Sequence, residues 1–180
     1  LTTSLNAMSS TQLLGFTSTQ LGGFTATQLG AFTTTGIDAF TSTQLKGLSA
    51  AQIGALGETN FSELSATQVS GLATTQVLGL TATQAAALTA TDIEDFTSTH
   101  LGALATTQVA ALSTTAIGGL SDTAVQDLQA TTMTRFTTTQ LNAFTSTSFN
   151  LMTSTQLLAL TQGQVQSLTE ELLEIYLQIV

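Results

Sequence analysis

Large apolar residues recur at every eighth position from Met8 to Leu168, and Tyr176 continues the series. The repeat reads (Phe/Leu)-Thr-x-Thr-Gln-(Leu/Ile/Val)-x-(Gly/Ala), and its positions are numbered one to eight below. Position six is also large and apolar, except at Ala85. Because no insertion or deletion breaks the phase, the pattern predicts a continuous octad array over residues 1–167, without a linker or domain boundary.

The period excludes a single long helix. Eight residues at about 100° each advance about 800°, so the apolar row would drift by about 80° per octad and leave no buried face. A continuous strand would place positions one and six on opposite faces. Short strands in a β-solenoid remain an alternative, since Thr and Phe favour strands. That alternative gives no specific role to the Gln or to the Gly/Ala position.

A chain of very short helices uses every position of the octad. Thr at position two and Gln at position five have the spacing of a capping box, and positions one and six match the two sites of a hydrophobic staple. The small residue at position eight permits the helix to stop and the chain to turn. The predicted helix caps are the pairs Thr17/Gln20, Thr25/Gln28, Thr41/Gln44, Thr81/Gln84 and Thr137/Gln140.

Stacking must stabilise such helices, because an isolated helix of five or six residues is unstable. Each octad offers about two large apolar side chains, worth roughly 1.5–3 kcal/mol each when buried, whereas ordering its backbone costs about 1–2 kcal/mol per residue. The sequence therefore predicts an all-α solenoid, a superhelix of short capped helices that is stable only as an array. The predicted core includes Phe16, Leu21, Phe24, Leu29, Phe32, Ile37, Phe40, Leu45, Leu88, Ile93, Phe96, Leu101, Phe136 and Leu141.

Acidic substitutions indicate the number of octads per turn. Glu63, Asp95 and Asp127 are spaced by 32 residues at position eight, which is otherwise mostly Gly or Ala. A bulky charge fits there only where that position faces solvent, so we expect three to four octads per turn.

The C-terminal stretch LTEELLEIYLQIV, residues 168–180, departs from the octad. Thr169 has the position of an N-cap, Glu170 and Glu171 follow in the first turn, and apolar residues recur at helical spacing. An amphipathic helix is predicted here, covering the last coil. The alternative is that the chain was cut and this apolar end packed on residues that followed. The chain opens at Leu1 rather than Met and has no signal peptide, so we expect an excised fragment or a mature piece.

Composition narrows the class of protein. Only 7% of the 180 residues are charged, 42% are apolar, and the formal net charge is −9. This balance disfavours disorder, and the shortage of Lys and Arg disfavours nucleic acid and anionic membrane surfaces as partners. No apolar run approaches the roughly 20 residues of a membrane span. The absence of Cys excludes disulfides and thiolate chemistry.

Few residues stand out as candidates for chemistry. Asp92, Glu94 and Asp95 are weak Ca²⁺ candidates, although solvated charge explains them more simply. His100 is interpreted as a variant cap residue, and Lys46 and Arg135 as isolated surface residues. No singular nucleophile, phosphate loop or cofactor motif occurs, so we expect neither catalysis nor a cofactor.

The Thr-x-Thr motifs, such as Thr17/Thr19 and Thr25/Thr27, resemble those of insect-type hyperactive antifreeze proteins. That resemblance implies ice binding by matched rows of hydroxyl and methyl groups. The antifreeze coils are longer than eight residues, many carry Cys, and an octad spacing would place Thr all around a solenoid. The first Thr already serves as an N-cap, and we expect the second Thr to pack inward.

The stretches LTATQ and LATTQVAALSTTAIGGL, within residues 80–120, carry a second resemblance. Through them the chain resembles the octapeptide-repeat tracts of very large bacterial secreted or surface, adhesin-like proteins. The resemblance implies a rigid spacer or scaffold at the cell surface or outside the cell, joined to the rest of a larger parent chain. A protein or glycan at the cell surface is a further expected partner. Ice or carbohydrate binding through the Thr-x-Thr rows is the alternative function.

Overall fold

The computed structural model describes residues 7–180, and they are all-α, with short helices in a regular repeating pattern and no strand. The predicted all-α solenoid is confirmed. The alternative β-solenoid is wrong, because the Thr-x-Thr-Gln stretch of the octad starts a helix instead of forming a strand. The chain divides into two compact units, Leu1–Ala87 and Leu88–Val180, which are described separately.

In the first unit, the helices of the described residues follow one another at the octad spacing. They are α1 Ser10–Leu14, α2 Ser18–Gly22, α3 Ala26–Gly30, α4 Thr34–Asp38, α5 Ser42–Leu45, α6 Ala50–Ala55, α7 Gly57–Ser62, α8 Ala66–Ser70, α9 Thr74–Val77 and α10 Ala82–Ala87.

The second unit continues the same octad phase and ends in a longer helix. Its helices are α11 Ala90–Glu94, α12 Ser98–Ala103, α13 Thr106–Ala111, α14 Thr114–Gly118, α15 Asp122–Asp127, α16 Ala130–Met133, α17 Thr138–Leu141, α18 Ser146–Asn150, α19 Ser154–Leu158, α20 Gln162–Gln166 and α21 Glu170–Ile179.

Most octads form a helix because position two adopts an extended backbone and its side chain caps the turn that follows. Thr25, for example, has φ −72° and ψ 157°, and its hydroxyl accepts from the N–H of Gln28. The octad 56–63 is an exception, because Gly57 replaces the capping residue and has φ +81°, in the left-handed region that glycine tolerates. Its helix α7 begins without a side-chain cap.

Within each unit a helix packs against the helix three octads away, as α1 does on α4 and α16 on α19. Side-chain hydrogen bonds between turns reach back mainly 28 and 31 residues. A separation of 28 residues equals three and a half octads, in agreement with the expected three to four octads per turn.

Positions one and six form the core of each unit. Leu21, Leu29, Ile37 and Leu45 at position six are fully buried, with 0% exposure. Of the other core residues named from the sequence, the structure buries Phe32, Phe40, Leu88, Ile93, Phe96, Leu101, Phe136 and Leu141.

Phe16 and Phe24 are only half-buried, because they lie in the first turn of the unit and have a neighbouring turn on one side only. Rings at position one of consecutive octads pack edge to face. The centroids of Phe16 and Phe24 are 5.3 Å apart, and those of Phe136 and Phe144 are 5.6 Å apart. This geometry suits the quadrupoles of aromatic rings.

The C-terminal helix α21 is tied to the preceding turn at its start. Thr169 is its N-cap, the Thr169 N–H donates to Asn142 Oδ1 at 3.0 Å, and Asn142 Nδ2 donates to the Ser167 carbonyl at 2.8 Å. The Ser146 hydroxyl donates to the Glu171 carboxylate. On the apolar side predicted from the sequence, Leu168 and Leu172 are buried, whereas Leu173, Tyr176 and Ile179 are half-buried.

Candidate functional site

The Gln side chain at position five makes two kinds of contact, one at each end of its amide. In octad 40–47, Gln44 Oε1 accepts from the N–H of Thr41 at 2.8 Å, which completes the capping box. Its Nε2 donates to the carbonyls of Leu13 at 3.0 Å and Phe16 at 2.8 Å, in the preceding turn. One side chain therefore caps its own helix and holds the previous turn. We call this arrangement a glutamine bridge.

The glutamine bridge recurs through both units. Gln76 Nε2 donates to the carbonyls of Leu45 and Leu48, both at 2.8 Å, and Gln140 Nε2 donates to those of Val109 and Leu112, both at 2.7 Å. The same kind of bridge is formed by Gln52, Gln68, Gln84, Gln156 and Gln164. Asn60 makes the shorter version, with a single bond of 2.9 Å to the carbonyl of Phe32.

The structure places all five predicted cap pairs in capping boxes, with the N–H of each Thr 2.8–2.9 Å from the Gln Oε1. The capping box explains the bond that the Gln Oε1 accepts, but not the bonds that the Nε2 donates. Gln20 is exposed, whereas Gln44, Gln84 and Gln140 are buried with 2–5% exposure, because their donor ends lie against an earlier turn. Among the described residues, every buried side-chain nitrogen and oxygen has a hydrogen-bond partner.

Arg135 corrects one sequence interpretation, because it is a half-buried bridging residue and not an isolated surface residue. Its octad has Thr132 at position five, and that hydroxyl reaches only the Leu101 carbonyl, at 3.4 Å. From position eight, Arg135 Nη1 donates to the carbonyls of Gly102 at 2.9 Å and Leu104 at 2.6 Å. The guanidinium thus takes over the donor role that the missing Gln would have. Lys46 is exposed.

His100 lies at position five of its octad and is buried, with 4% exposure. Its Nδ1 accepts from the N–H of Thr97 at 3.4 Å, and the Thr97 hydroxyl accepts from the His100 N–H at 3.2 Å. The structure thus places His100 in the capping position interpreted from the sequence.

The three acidic Ca²⁺ candidates do not converge on one point. Asp92 Oδ2 accepts from the N–H of Thr89 at 2.7 Å and serves as the cap partner of its own octad. Glu94 Oε1 accepts from the N–H of Ser121 at 3.1 Å, one turn later. Burial raises the pKa of Asp95, and the charges of Asp92 and Glu94 raise it further. Within residues 7–180, no group of three or more His, Asp or Glu side chains is placed to hold a metal ion.

The second Thr of the octad faces solvent, so the expectation that it packs inward is wrong. It is exposed in every octad where Thr holds position four, from Thr11 to Thr155. The reason lies in the helix geometry: positions one and six fill the core and position five reaches the preceding turn, which leaves position four on the outer face. Both hydroxyls of a motif such as Thr17/Thr19 are accessible.

Two pockets coincide with octads that lack a polar side chain of Gln length. One, of about 170 Å³, lies beside Gly36 and is lined by Met8, Leu13 and Phe32. The other, of about 310 Å³, lies beside Ala124 and is lined by Ile93, Glu94 and Asp127 among others. Both Gly36 and Ala124 hold position five. A Gln at that position would extend into this space, so the pockets mark where the bridge is missing.

The fold and its glutamine bridges define the chain as an all-α repeat solenoid. Comparison with protein families, curated proteins and solved structures found no match to it. No helix among the described residues combines the length and hydrophobicity needed to cross a membrane.

Proposed function

We propose that the chain is a structural repeat domain that acts as a rigid spacer or scaffold within a larger extracellular bacterial protein, without catalysis. The observation that carries this proposal is the recurring glutamine bridge. Each bridge adds two hydrogen bonds between consecutive turns, and the carbonyls that accept them are mostly buried. A coil in which many octads carry such bridges resists bending and local opening more than one held by apolar contacts alone. The resemblance to octapeptide-repeat tracts of bacterial surface proteins supports the proposed location.

Low charge also suits a spacer. With 7% charged residues, the array has few ion pairs for salt or pH to disturb. The exposed Thr, Ser and Gln side chains keep the surface polar without charge. The same surface is the region where a protein or glycan partner would bind.

Rigidity of one unit is the property to test. The chain has no Cys, so Thr19→Cys and Thr75→Cys introduce two unique sites for spin labels on exposed positions. They are 56 residues apart, or two turns, and adjacent turns of helices lie about 8–10 Å apart. Pulsed electron–electron double resonance should give one narrow distribution of the distance between the two spin labels, near 20 Å. A flexible chain of that length would give a broad distribution around 40 Å.

The control for this experiment weakens the bridges between the labels. Gln44→Ala and Gln52→Ala together should broaden the distance distribution while the far-ultraviolet helix signal is kept. A broad or multiple distribution in the unmodified background contradicts the spacer function, because a spacer must hold its ends at a fixed distance.

The exposed second Thr favours a second candidate, the binding of ice or carbohydrate by hydroxyl rows. Thr19, Thr43 and Thr67 are exposed at position four of octads that are three apart, on helices that pack together. At three and a half octads per turn, however, motifs three octads apart point in directions about 50° apart, so the hydroxyls do not share one plane.

Thermal hysteresis and ice shaping test this candidate. If it holds, ice growth is altered by the unmodified chain, and replacing these three Thr by Val, which keeps the shape and removes the hydroxyl, abolishes the effect. Unaltered ice crystals at high protein concentration exclude ice binding.

A further inference from the structure

We propose that the pocket beside Ala124 binds a guanidinium group, such as the Arg side chain of a partner protein. The pocket has a volume of about 310 Å³. Its lining includes the buried apolar residues Ile93 and Phe96 and the acidic residues Glu94 and Asp127. Both acidic residues are exposed, so a ligand can reach them. The site lies entirely within the second unit and does not depend on the spacer function.

The next octad provides an internal model for the occupant. Ala124 and Thr132 both hold position five, Asp127 and Arg135 both hold position eight, and each pair is separated by eight residues. In octad 128–135, the Arg135 guanidinium donates to the carbonyls of Gly102 and Leu104 in the preceding turn. One octad earlier, the residues equivalent to Gly102 and Leu104 are Glu94 and Phe96, and both line the pocket. In the later octad the chain's own guanidinium therefore occupies the space that corresponds to the open pocket beside Ala124.

Charge distinguishes the two octads. The later octad has the cation Arg135 at position eight, whereas the earlier octad has the anion Asp127 there. Glu94 adds a second carboxylate to the pocket lining. One Glu94 oxygen accepts from the N–H of Ser121 at 3.1 Å, which holds the carboxylate at the pocket rim. A guanidinium from outside would meet the carboxylates of Glu94 and Asp127, and charge-assisted hydrogen bonds between these groups are strong.

A guanidinium suits this arrangement better than an ammonium group. Its five N–H donors lie in one plane, so it can donate to a carbonyl and to a carboxylate at the same time. An ammonium group is compact and strongly hydrated, and it loses more by leaving water. A neutral urea has the same planar shape without the charge. These three groups therefore separate shape from charge.

The experiment is a titration of the full ¹⁵N-labelled chain with ethylguanidinium chloride, followed by amide chemical shifts. Ethylammonium chloride at equal ionic strength and ethylurea serve as reference ligands. We expect saturable shifts of the amides of Ser121, Ala124 and Asp127 at millimolar ethylguanidinium, with weaker shifts for ethylammonium and none for ethylurea. Equal shifts with all three, or no saturable shift with ethylguanidinium, overturn the proposal.

Variants locate the site. Asp127→Asn should weaken binding by about fivefold, the upper range for an exposed ion pair, whereas Asp122→Asn, in the same octad but outside the pocket lining, should leave the affinity unchanged. Asp127→Arg should fill the pocket in the way that Arg135 does and abolish binding. Ala124→Gln should also abolish it, and an unchanged far-ultraviolet spectrum shows that each variant folds. Binding that survives Asp127→Arg, or that Asp122→Asn weakens equally, overturns the proposed site.

Discussion

Octads 16–23 and 40–47 begin with the same six residues, FTSTQL, and provide a matched pair for measuring the glutamine bridge. In both, the Gln Oε1 accepts from the Thr N–H, at 2.9 Å for Gln20 and 2.8 Å for Gln44. In both, the Thr hydroxyl accepts from the Gln N–H at 3.2 Å. The two side chains differ in that Gln20 is exposed in the first turn, whereas Gln44 is buried against an earlier turn. The difference between Gln20→Ala and Gln44→Ala therefore isolates the bridge.

The magnitude follows from the bonds that each variant loses. Gln20→Ala removes one acceptor at an exposed helix start, which costs about 0.5–1 kcal/mol of unfolding free energy. Gln44→Ala removes the same acceptor and both donor bonds, to the carbonyls of Leu13 and Phe16. Each carbonyl that loses its buried donor costs about 1–3 kcal/mol, toward the low end here because the Leu13 carbonyl keeps the N–H of Phe16 at 3.2 Å. We expect Gln44→Ala to cost about 2–4 kcal/mol more than Gln20→Ala.

The assay is urea unfolding of the full chain, followed by circular dichroism at about 222 nm and by hydrogen exchange of individual amides. Hydrogen exchange is needed because the two units need not unfold in one step, as in other repeat proteins. Faster exchange should be confined mainly to the octads on either side of the lost bridge. If the two variants lose the same unfolding free energy, the donor end of the amide contributes nothing and the reasoning is refuted.

Three further perturbations can be measured by the same unfolding assay. Gly79→Ala should lower the free energy of unfolding by about 2 kcal/mol or more, because the added Cβ would overlap a backbone carbonyl of the preceding turn. Gly163→Ala should instead stabilise its helix by about 0.5–1 kcal/mol, because no atom lies within 4 Å of the added Cβ. A neutral Gly79→Ala would contradict the close approach of the turns. Arg135→Ala should lower the free energy of unfolding by about 2 kcal/mol, because two carbonyls lose a charged donor. Lys46→Ala, at an exposed position, should change it by no more than about 0.5 kcal/mol. Equal effects of the two variants would contradict the bridging role of Arg135. Burial and two acidic neighbours raise the pKa of Asp95 above its ordinary 3.8 in the folded chain. The folded chain therefore binds this proton more tightly than the unfolded chain, and the resulting stabilisation is complete below pH 3.8 and is lost as the pH rises through the raised pKa. Asp95→Asn should therefore be more stable than the unmodified chain at neutral pH, with a difference that vanishes at acid pH, and a less stable variant at neutral pH would contradict this sign.

Local chemistry explains how much of the fold is readable from the sequence. The eight-residue period excludes a long helix, and Thr at position two with Gln at position five marks the start of each short one. The capping signal acts within a single octad, and the period needs only neighbouring octads. The number of octads per turn is a property of the assembled coil, and it is readable only through rare events such as Glu63 and Asp127, where a charge replaces Gly or Ala and must face solvent. Phe16 is predicted as a core residue but is only half-buried, because periodicity does not show which turn has only one neighbour.

The bridging role of Gln lies outside local reasoning, since the amide reaches a carbonyl 28 residues away that no sequence spacing marks. Arg135 is similar: a lone cation in a chain of low charge is ordinarily a surface residue, and only the missing Gln at Thr132 gives it a buried task. The recurrence of the second Thr predicts that it packs inward, and this prediction is wrong. The exposure of this Thr shows that burial does not account for that recurrence.

One signal in the sequence nevertheless points to the bridge. A capping box accepts Glu as well as Gln at its last position, and Glu would gain further from the helix dipole. Yet Gln holds position five in most octads and Glu in none, and the one carboxylate found there is Asp92. A carboxylate has acceptor oxygens only, so it can complete the box but cannot donate to the carbonyls of Leu45 and Leu48 as Gln76 does. The rarity of carboxylates at a position that local capping would allow is therefore the trace of a donor required by the neighbouring turn.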